Sequence, residues 1–231
     1  MRDPSSPREI GSCDTPQYAL DVEVVGGYAY VTTEDGLRII DVSDPSSPQE
    51  VGSYVLASAS DVEILGHYAY VASDYRGLLV IDVSNPYFPR EVGSCKIPGR
   101  AKDVEIAEGY AYVATEDGLL IIDVSVPNFP REVSSYTPLR EVKDVEVAGG
   151  YAYVATEDGL WIIDVSKPAF PREVGLYKIP RSPAEVNDVE VVGNYAYVAA
   201  GWAGLRVIDV SSPTPPLGKL APMMHCSIPR M

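Results

Sequence analysis

Apolar and polar residues alternate along short segments of this chain, and similar segments recur in five units. In the unit that begins at Asp103, residues 103–107 read Asp-Val-Glu-Ile-Ala, the alternation of a half-buried strand. Residues 110–114 read Tyr-Ala-Tyr-Val-Ala, which suits a pleated surface, and the apolar run at 119–124 predicts a strand buried on both faces. The more polar residues 131–136 predict an outer strand. Each unit therefore predicts four antiparallel strands, and no apolar period of 3.6 residues predicts a helix.

Two kinds of turn separate the predicted strands. Glu108-Gly109 joins the first strand of this unit to the second, as a two-residue hairpin that requires positive φ angles. Thr-Glu-Asp-Gly at 115–118 joins the second strand to the third, where Gly118 is free to adopt the left-handed conformation. The other units carry at the first hairpin Gly26-Gly27, Gly66-His67, Gly149-Gly150 and Gly193-Asn194.

Three short motifs mark the five units. Asp-Val-Glu begins at Asp21, Asp61, Asp103, Asp144 and Asp188. Tyr-Ala-Tyr-Val begins at Tyr28, Tyr68, Tyr110, Tyr151 and Tyr195. Ile-Asp-Val-Ser contains Asp41, Asp82, Asp123, Asp164 and Asp209. A period of roughly 40–45 residues is that of β-propeller blades, in which each blade covers the apolar face of its neighbour. The predicted fold class is all-β, a five-bladed β-propeller of four-stranded antiparallel blades.

The repeats run throughout the chain and leave no room for a linker, so we expect one domain over residues 1–231. The outer strand of the last blade is the exception to the pattern. Residues 8–13 copy that strand well, whereas residues 217–220 read Leu-Gly-Lys-Leu and put a lysine at an apolar position. We therefore predict that the N-terminal strand completes the last blade and closes the ring, which removes two free sheet edges. The predicted repeats are about 21–60, 61–102, 103–143, 144–187, and 188–213 together with 7–13.

Residues 214–231 are then a C-terminal tail. Two interpretations stay open. The tail packs on the last blade, or it is an arm donated to a neighbouring copy by β-augmentation. Head-to-tail exchange of that kind builds rings or open filaments.

The Tyr-Ala-Tyr motif, together with Leu-x-Ile-Ile-Asp-Val-Ser-x-Pro-x-x-Pro, resembles the LVIVD-repeat β-propeller family. The resemblance covers about residues 7–213, and five copies make it specific for the fold. It implies an extracellular or surface-associated repeat domain. The resemblance brings no catalytic residues to carry over to this chain.

Charge and composition narrow the classes of partner. The net charge of −15 and the sequence pI of ≈ 4.4 argue against nucleic acid and against anionic membrane surfaces. No apolar run approaches the ~20 residues of a membrane helix, so no membrane insertion is expected.

Residues 1–7 lack the apolar region of a signal peptide; the chain starts mid-blade, or an upstream segment has been removed. Scarce Asn and Gln and the 20 prolines are typical of a thermophile; the alternative is that a repeat rich in Tyr, Val and Asp leaves little room for amides.

The chain has three cysteines, Cys13, Cys95 and Cys226, and their spacing excludes a redox pair or a zinc knuckle. Cys13 and Cys226 both belong near the predicted ring closure. A disulfide between them would close a very long loop and clamp the termini. The alternative is three buried thiols in a reducing compartment.

The candidate partner-binding residues lie in two hairpin loops that depart from Thr-Glu-Asp-Gly. Residues 73–77 offer Tyr75 and Arg76, and residues 200–204 offer Trp202. Aromatic and arginine side chains are good binding anchors, and variable loops on a rigid scaffold usually carry binding. The alternative is that each aromatic side chain folds back over its own blade.

The five Asp-Val-Glu aspartates offer a candidate metal site. Asp21, Asp61, Asp103, Asp144 and Asp188 could ring the axis and hold Ca²⁺, a cation that takes oxygen ligands. The alternative is that each aspartate binds a local backbone amide, which repetition in every blade favours. The Ile-Asp-Val-Ser aspartates have the same structural interpretation.

No nucleophile elbow, phosphate loop or zinc motif is found. We therefore expect a non-enzymatic extracellular or cell-surface structural or protein-interaction module. Its partners are proteins, copies of itself included, which join through exchange of terminal strands. The alternative is a ligand-binding or enzymatic propeller that uses the acidic axis and a divalent cation.

Overall fold

The computed structural model describes residues 5–137, 141–180 and 185–212, which form five antiparallel sheets. We call these sheets blades 1 to 5 in chain order. Within every blade the strands pair in chain order, so each blade is a meander. The all-β prediction and the five blades are thereby confirmed.

The strands occupy equivalent positions in successive blades. The first strands, which contact one another from blade to blade, are β1 (Ala19–Val25), β5 (Ala59–Leu65), β9 (Ala101–Ala107), β13 (Val142–Ala148) and β17 (Asp188–Val192). The second strands are β2 (Tyr28–Thr33), β6 (Tyr68–Ser73), β10 (Tyr110–Thr115), β14 (Tyr151–Thr156) and β18 (Tyr195–Ala199). The third strands are β3 (Gly36–Asp41), β7 (Gly77–Asp82), β11 (Gly118–Asp123), β15 (Gly159–Asp164) and β19 (Leu205–Asp209). The outer strands are β4 (Gln49–Val55), β8 (Arg90–Cys95), β12 (Arg131–Tyr136) and β16 (Arg172–Tyr177).

The predicted turns form as their residues require. Glu108 and Gly109 have φ angles of 50° and 83°, the positive values that a two-residue hairpin of this hand needs. At the second hairpin the buried Thr115 hydroxyl donates to the carbonyl of Gly118, 2.8 Å away. Gly118 has a φ of 136°, and a β-carbon there would run into the carbonyl oxygen of Tyr136. Glycine at this position therefore lets the hairpin lie against the end of the outer strand.

The hydrophobic core consists of the interfaces between successive blades. We call the side of a blade that faces the next blade its leading face, and the opposite side its trailing face. Between blades 2 and 3, the leading-face residues Tyr70, Leu78 and Val80 pack against the trailing-face residues Val104 and Val113. The other three interfaces have the same composition. Each fully buried aliphatic or aromatic side chain stabilises the fold by roughly 1.5–3 kcal/mol, so these interfaces hold the blades together.

The predicted ring closure is not observed. Blade 5 has three strands among the described residues, and residues 8–13 form no strand with β19. Those residues lie against blade 1 instead, where Cys13 packs on Ala29 and Ile40. Blades 1 and 5 share no sheet among the described residues, and Val22 of blade 1 and Leu205 of blade 5 are both exposed, so these two blades do not pack on each other. The predicted tail at 214–231 lies outside the described residues.

The described residues contain one helical segment, the 3₁₀ turn Gly201–Ala203. Nothing in the described part of the chain is a helix with the length and apolar character of a membrane span.

Candidate functional site

The Asp-Val-Glu aspartates link each blade to the next. An Asp61 carboxylate oxygen accepts the backbone N–H of Val104 at 2.9 Å. In the same way Asp144 accepts the N–H of Val189 at 2.8 Å. The remaining two links run from Val62 to Asp21 at 3.2 Å and from Val145 to Asp103 at 2.8 Å. In blades 1 to 4 the residue before each aspartate is the extra residue of a β-bulge, which re-aims the neighbouring side chain.

Burial makes the carboxyl groups of Asp61, Asp103 and Asp144 reluctant to ionise. It raises the pKa of Asp61 to about 8 and that of Asp144 to about 7. Burial, then the charges of Asp61 and Asp144, raises the pKa of Asp103 well above its usual range. Burial is also the main cause of the raised pKa values of the glutamates on the same strands. The pKa is about 7 for Glu63 and Glu146 and about 8 for Glu105. Several carboxyl groups on the first strands of blades 2 to 4 therefore lose their protons less readily than free side chains do, because burial disfavours the charged form.

This arrangement gives the calcium prediction no geometric support. In the described residues no three His, Cys, Asp or Glu side chains are grouped so that they could hold one ion. Asp21, Asp61, Asp103 and Asp144 each use an oxygen on a backbone amide of the next blade. The donor set therefore fits a structural hydrogen-bond role better than a Ca²⁺ shell, which takes six to eight oxygens. The metal site stays a prediction.

The Ile-Asp-Val-Ser aspartates stabilise a turn at the end of the third strand. In blade 3 the Asp123 carboxylate accepts the N–H and the hydroxyl of Ser125, at 3.0 and 2.6 Å. The hydroxyl of Ser84 and the ion pair with Arg90 hold the pKa of Asp82 at about 2. The side chains of Asp41, Asp164 and Asp209 likewise accept the N–H two residues on. Their interpretation as structural residues agrees with these contacts.

Tyr75 and Arg76 occupy different environments in one hairpin loop. The Tyr75 side chain is exposed, at 76%, and the Arg100 guanidinium lies over its ring, 5.9 Å from the centroid. Arg76 forms an ion pair with Glu91 at 2.8 Å, and Glu91 also accepts the Tyr54 hydroxyl at 2.6 Å. Tyr75 is therefore available to a partner, whereas Arg76 supports the loop. The sequence analysis missed Arg100, although it lies in a variable loop of the same face.

Trp202 is the most exposed large apolar side chain of the described residues, at 96%. It lies in the 3₁₀ turn of the last hairpin, which the N–H of Ala200 closes by donating to the carbonyl of Gly204 at 3.0 Å. Neither Trp202 nor Tyr75 folds back over its blade. Their role in binding a partner stays a prediction.

Sequence comparison matches the LVIVD repeat five times, at residues 16–55, 57–97, 98–138, 139–179 and 183–220. The chain belongs to the LVIVD-repeat family. No curated protein matches it. The predicted family is confirmed, and the five matched repeats fall on the five blades.

Solved structures show the same fold as this LVIVD-repeat chain. The computationally designed Ika8 protein is 9% identical, with a TM-score of 0.66 over 85% of this chain and 60% of its own. A functionally unknown protein from Desulfotomaculum acetoxidans is 14% identical, with a TM-score of 0.68 over 80% of this chain and 64% of its own. The β-propeller domain of Cps50 (Swd1) from Myceliophteria thermophila is 14% identical, with a TM-score of 0.63 over 81% of this chain and 64% of its own. This LVIVD-repeat chain therefore spans about three fifths of the length of these structures.

The LVIVD repeat also exposes aromatic residues that the sequence analysis missed. Phe88, Phe129 and Phe170 stand at the same place in the Ser-x-Pro-x-x-Pro loops of blades 2, 3 and 4, and all three are exposed. Beside Phe129 lies a cleft of ≈ 300 Å³ that Asp123 and Arg131 also line. The signal was present in the sequence, because an aromatic residue precedes the second proline in three successive repeats.

Within the described residues, Cys13 and Cys95 form no disulfide. Burial raises the pKa of the Cys95 thiol, so it is a weak nucleophile at neutral pH. Cys226 lies outside the described residues, and its disulfide with Cys13 stays a prediction.

Proposed function

We propose that this LVIVD-repeat chain is a non-enzymatic structural or protein-interaction module that acts outside the cytoplasm, extracellularly or at a cell surface. The exposed aromatic side chains of Tyr75 and Trp202, held on hairpins between packed strands, support an interaction role. The propeller is a rigid scaffold for such loops. A thermophilic source remains a prediction from the amide-poor composition.

The absence of enzymatic activity is part of the proposal. The inner aspartates accept backbone N–H groups of neighbouring blades, and the third-strand aspartates accept N–H groups of their own turns. Carboxylates used in this way position the backbone. General acid-base catalysis needs groups within hydrogen-bond reach of a substrate.

We further propose that the chain associates with copies of itself through its N-terminal strand. The observation that carries this is the position of Gly11. A β-carbon at Gly11 would lie 2.9 Å from the Cδ of Pro48 in blade 1. The outer strand of blade 2 makes the same approach to blade 3, because a β-carbon at Gly93 would lie 2.9 Å from the Cδ of Pro130. Residues 8–13 therefore occupy, beside blade 1, the position that the outer strand of one blade occupies beside the next blade. They are ready to complete a three-stranded blade such as blade 5.

The native mass in solution tests this proposal. Light scattering after size exclusion is expected to give masses above the 25.0 kDa of one chain, rising with protein concentration. Deletion of residues 1–13 is expected to lower those masses, because it removes the donated strand. A wild-type chain that stays at 25.0 kDa at every concentration would contradict self-association.

A further inference from the structure

The two ends of the blade series expose apolar faces that are buried everywhere else. Val22, on the trailing face of blade 1, is 57% exposed, whereas its counterparts in blades 2 to 5 are 2–4% exposed. Leu205, on the leading face of blade 5, is 65% exposed, whereas its counterparts in blades 1 to 4 are fully buried. Tyr197 and Val207 beside it are also exposed. Within the described parts of the chain, apolar residues that recur in a buried interface four times have no partner blade at either end.

The exposed trailing face of blade 1 forms a groove. The groove has a volume of ≈ 350 Å³, and its apolar walls are Leu20, Val22, Val31, Ile40 and Cys13. Val22, Val31 and Ile40 of blade 1 are the counterparts of three residues of blade 3, Val104, Val113 and Ile122. Those three residues pack against Tyr70 and Leu78 of blade 2. The groove therefore has the lining that accepts a leading face.

The hydrogen-bond series along the axis also has two open ends. In blades 1 to 4, the aspartate of each Asp-Val-Glu motif accepts the backbone N–H of the valine in the Asp-Val-Glu motif of the next blade. By this pattern, Asp188 is an acceptor for the N–H of a following Val22. Packing of blade 5 on blade 1 would add this fifth hydrogen bond.

We propose that the leading face of blade 5 packs into the blade 1 groove of a second copy of this chain. This inference rests on the proposed self-association and names the surfaces that carry it. Tyr197, Leu205 and Val207 of one copy would fill the groove, and residues 8–13 of the second copy would lie beside β19 as its fourth strand. The new interface continues the four internal ones with the same residues in the same register.

A second copy fits this surface because the ends of one chain stand apart. Val22 of blade 1 and Leu205 of blade 5 are 57% and 65% exposed, so the two end faces do not pack on each other within the described chain. The contact between copies is head-to-tail, since two different faces meet. Contacts of that kind continue from copy to copy and build an open filament or a ring.

Blocking one face at a time tests the proposal. Val22→Glu blocks the groove and Leu205→Glu blocks the leading face; both positions are exposed within one chain, so neither change disturbs its core. Each variant alone is expected to have the mass of one chain, 25.0 kDa. An equimolar mixture is expected to reach twice that mass and stop, because each variant keeps the face that the other lacks.

Matched variants control for the added charge. Val55→Glu and Leu65→Glu place the same substitution at exposed positions outside the two faces, and they are expected to assemble as the wild type does. Variants at Val22 and Leu205 that assemble like the wild type, or a mixture that stays at 25.0 kDa, would overturn the proposed surfaces alone. A wild-type chain that is itself monomeric would overturn the proposed self-association as well. In that case, melting temperatures of Val22→Glu and Leu205→Glu below that of the wild type would indicate that the ring closes within one chain.

Discussion

The interface between blades 2 and 3 and the two ends of the blade series carry the same residues in different surroundings. Leu78 is fully buried between blades, while Leu205, its counterpart in blade 5, faces solvent. Asp61 accepts an amide of the next blade, while Asp188 has no following blade within the described chain. The comparison shows that the repeat encodes an interface and that position in the series decides whether it is occupied.

The pH dependence of folding should show the largest effect, because several buried carboxyls of the interior contribute together. Their folded pKa values of about 7–8 lie above the unfolded values of about 4. Stability is then fully present below about pH 4 for these groups and is lost as pH rises through about 7–8, since the folded chain releases protons less readily than the unfolded one. The melting temperature should therefore be lower at about pH 9 than at about pH 6.

Two variants separate this cause from others. Glu105→Gln removes one group with a raised pKa and should flatten the profile. Asp82→Asn removes a group whose pKa is about 2 and should leave the slope between neutral and alkaline pH unchanged. Equal melting temperatures at both pH values would contradict the raised pKa values of the buried carboxyl groups.

Truncation of the same leucine in two places sharpens the comparison. Leu78→Ala opens a cavity between blades 2 and 3 and should lower the free energy of unfolding by about 2–5 kcal/mol. Leu205→Ala removes an exposed side chain, and its effect on the dilute single chain should stay within about 0.5 kcal/mol. Urea denaturation of both variants measures the difference, and similar losses would mean that the end face is buried within one chain.

The inner aspartates allow a similar test with a smaller effect. Asp61→Ala leaves the N–H of Val104 without its acceptor and should cost about 1–3 kcal/mol of unfolding free energy. Asp188→Ala should cost less in the dilute chain and should weaken assembly. If Asp188→Ala leaves the masses in light scattering unchanged, the axial hydrogen bond does not extend between copies.

Calcium should have the smallest effect. Each inner aspartate of blades 1 to 4 already has an amide partner, so millimolar Ca²⁺ is expected to leave the melting temperature unchanged. A ligand at 100 times its Kd stabilises a folded protein by about 2.7 kcal/mol. A rise of several degrees would therefore favour the alternative of a cation-binding propeller.

Local pattern predicted the blades well. The predicted outer strand at 131–136 coincides with β12, and the predicted turns at Glu108-Gly109 and 115–118 form as expected. The contacts of Asp61 and Asp123 agree with the structural interpretation that repetition in every blade suggested. These features depend on neighbours within one repeat or the next, which the sequence period specifies directly.

Features that depend on the curvature of the whole series were harder to predict. The pairing of residues 8–13 with the last blade requires blade 5 to reach blade 1, and nothing in a 40-residue period sets that angle. The contact of Arg100 with Tyr75 likewise depends on how loops of adjacent blades meet. Long-range geometry of this kind is not encoded in the spacing of motifs.

The most direct test of the central claim is the mass of an equimolar mixture of Val22→Glu and Leu205→Glu chains. We expect two chains per particle in the mixture and one in each variant alone. A mixture that stays at 25.0 kDa would contradict the claim that the two ends are halves of one interface.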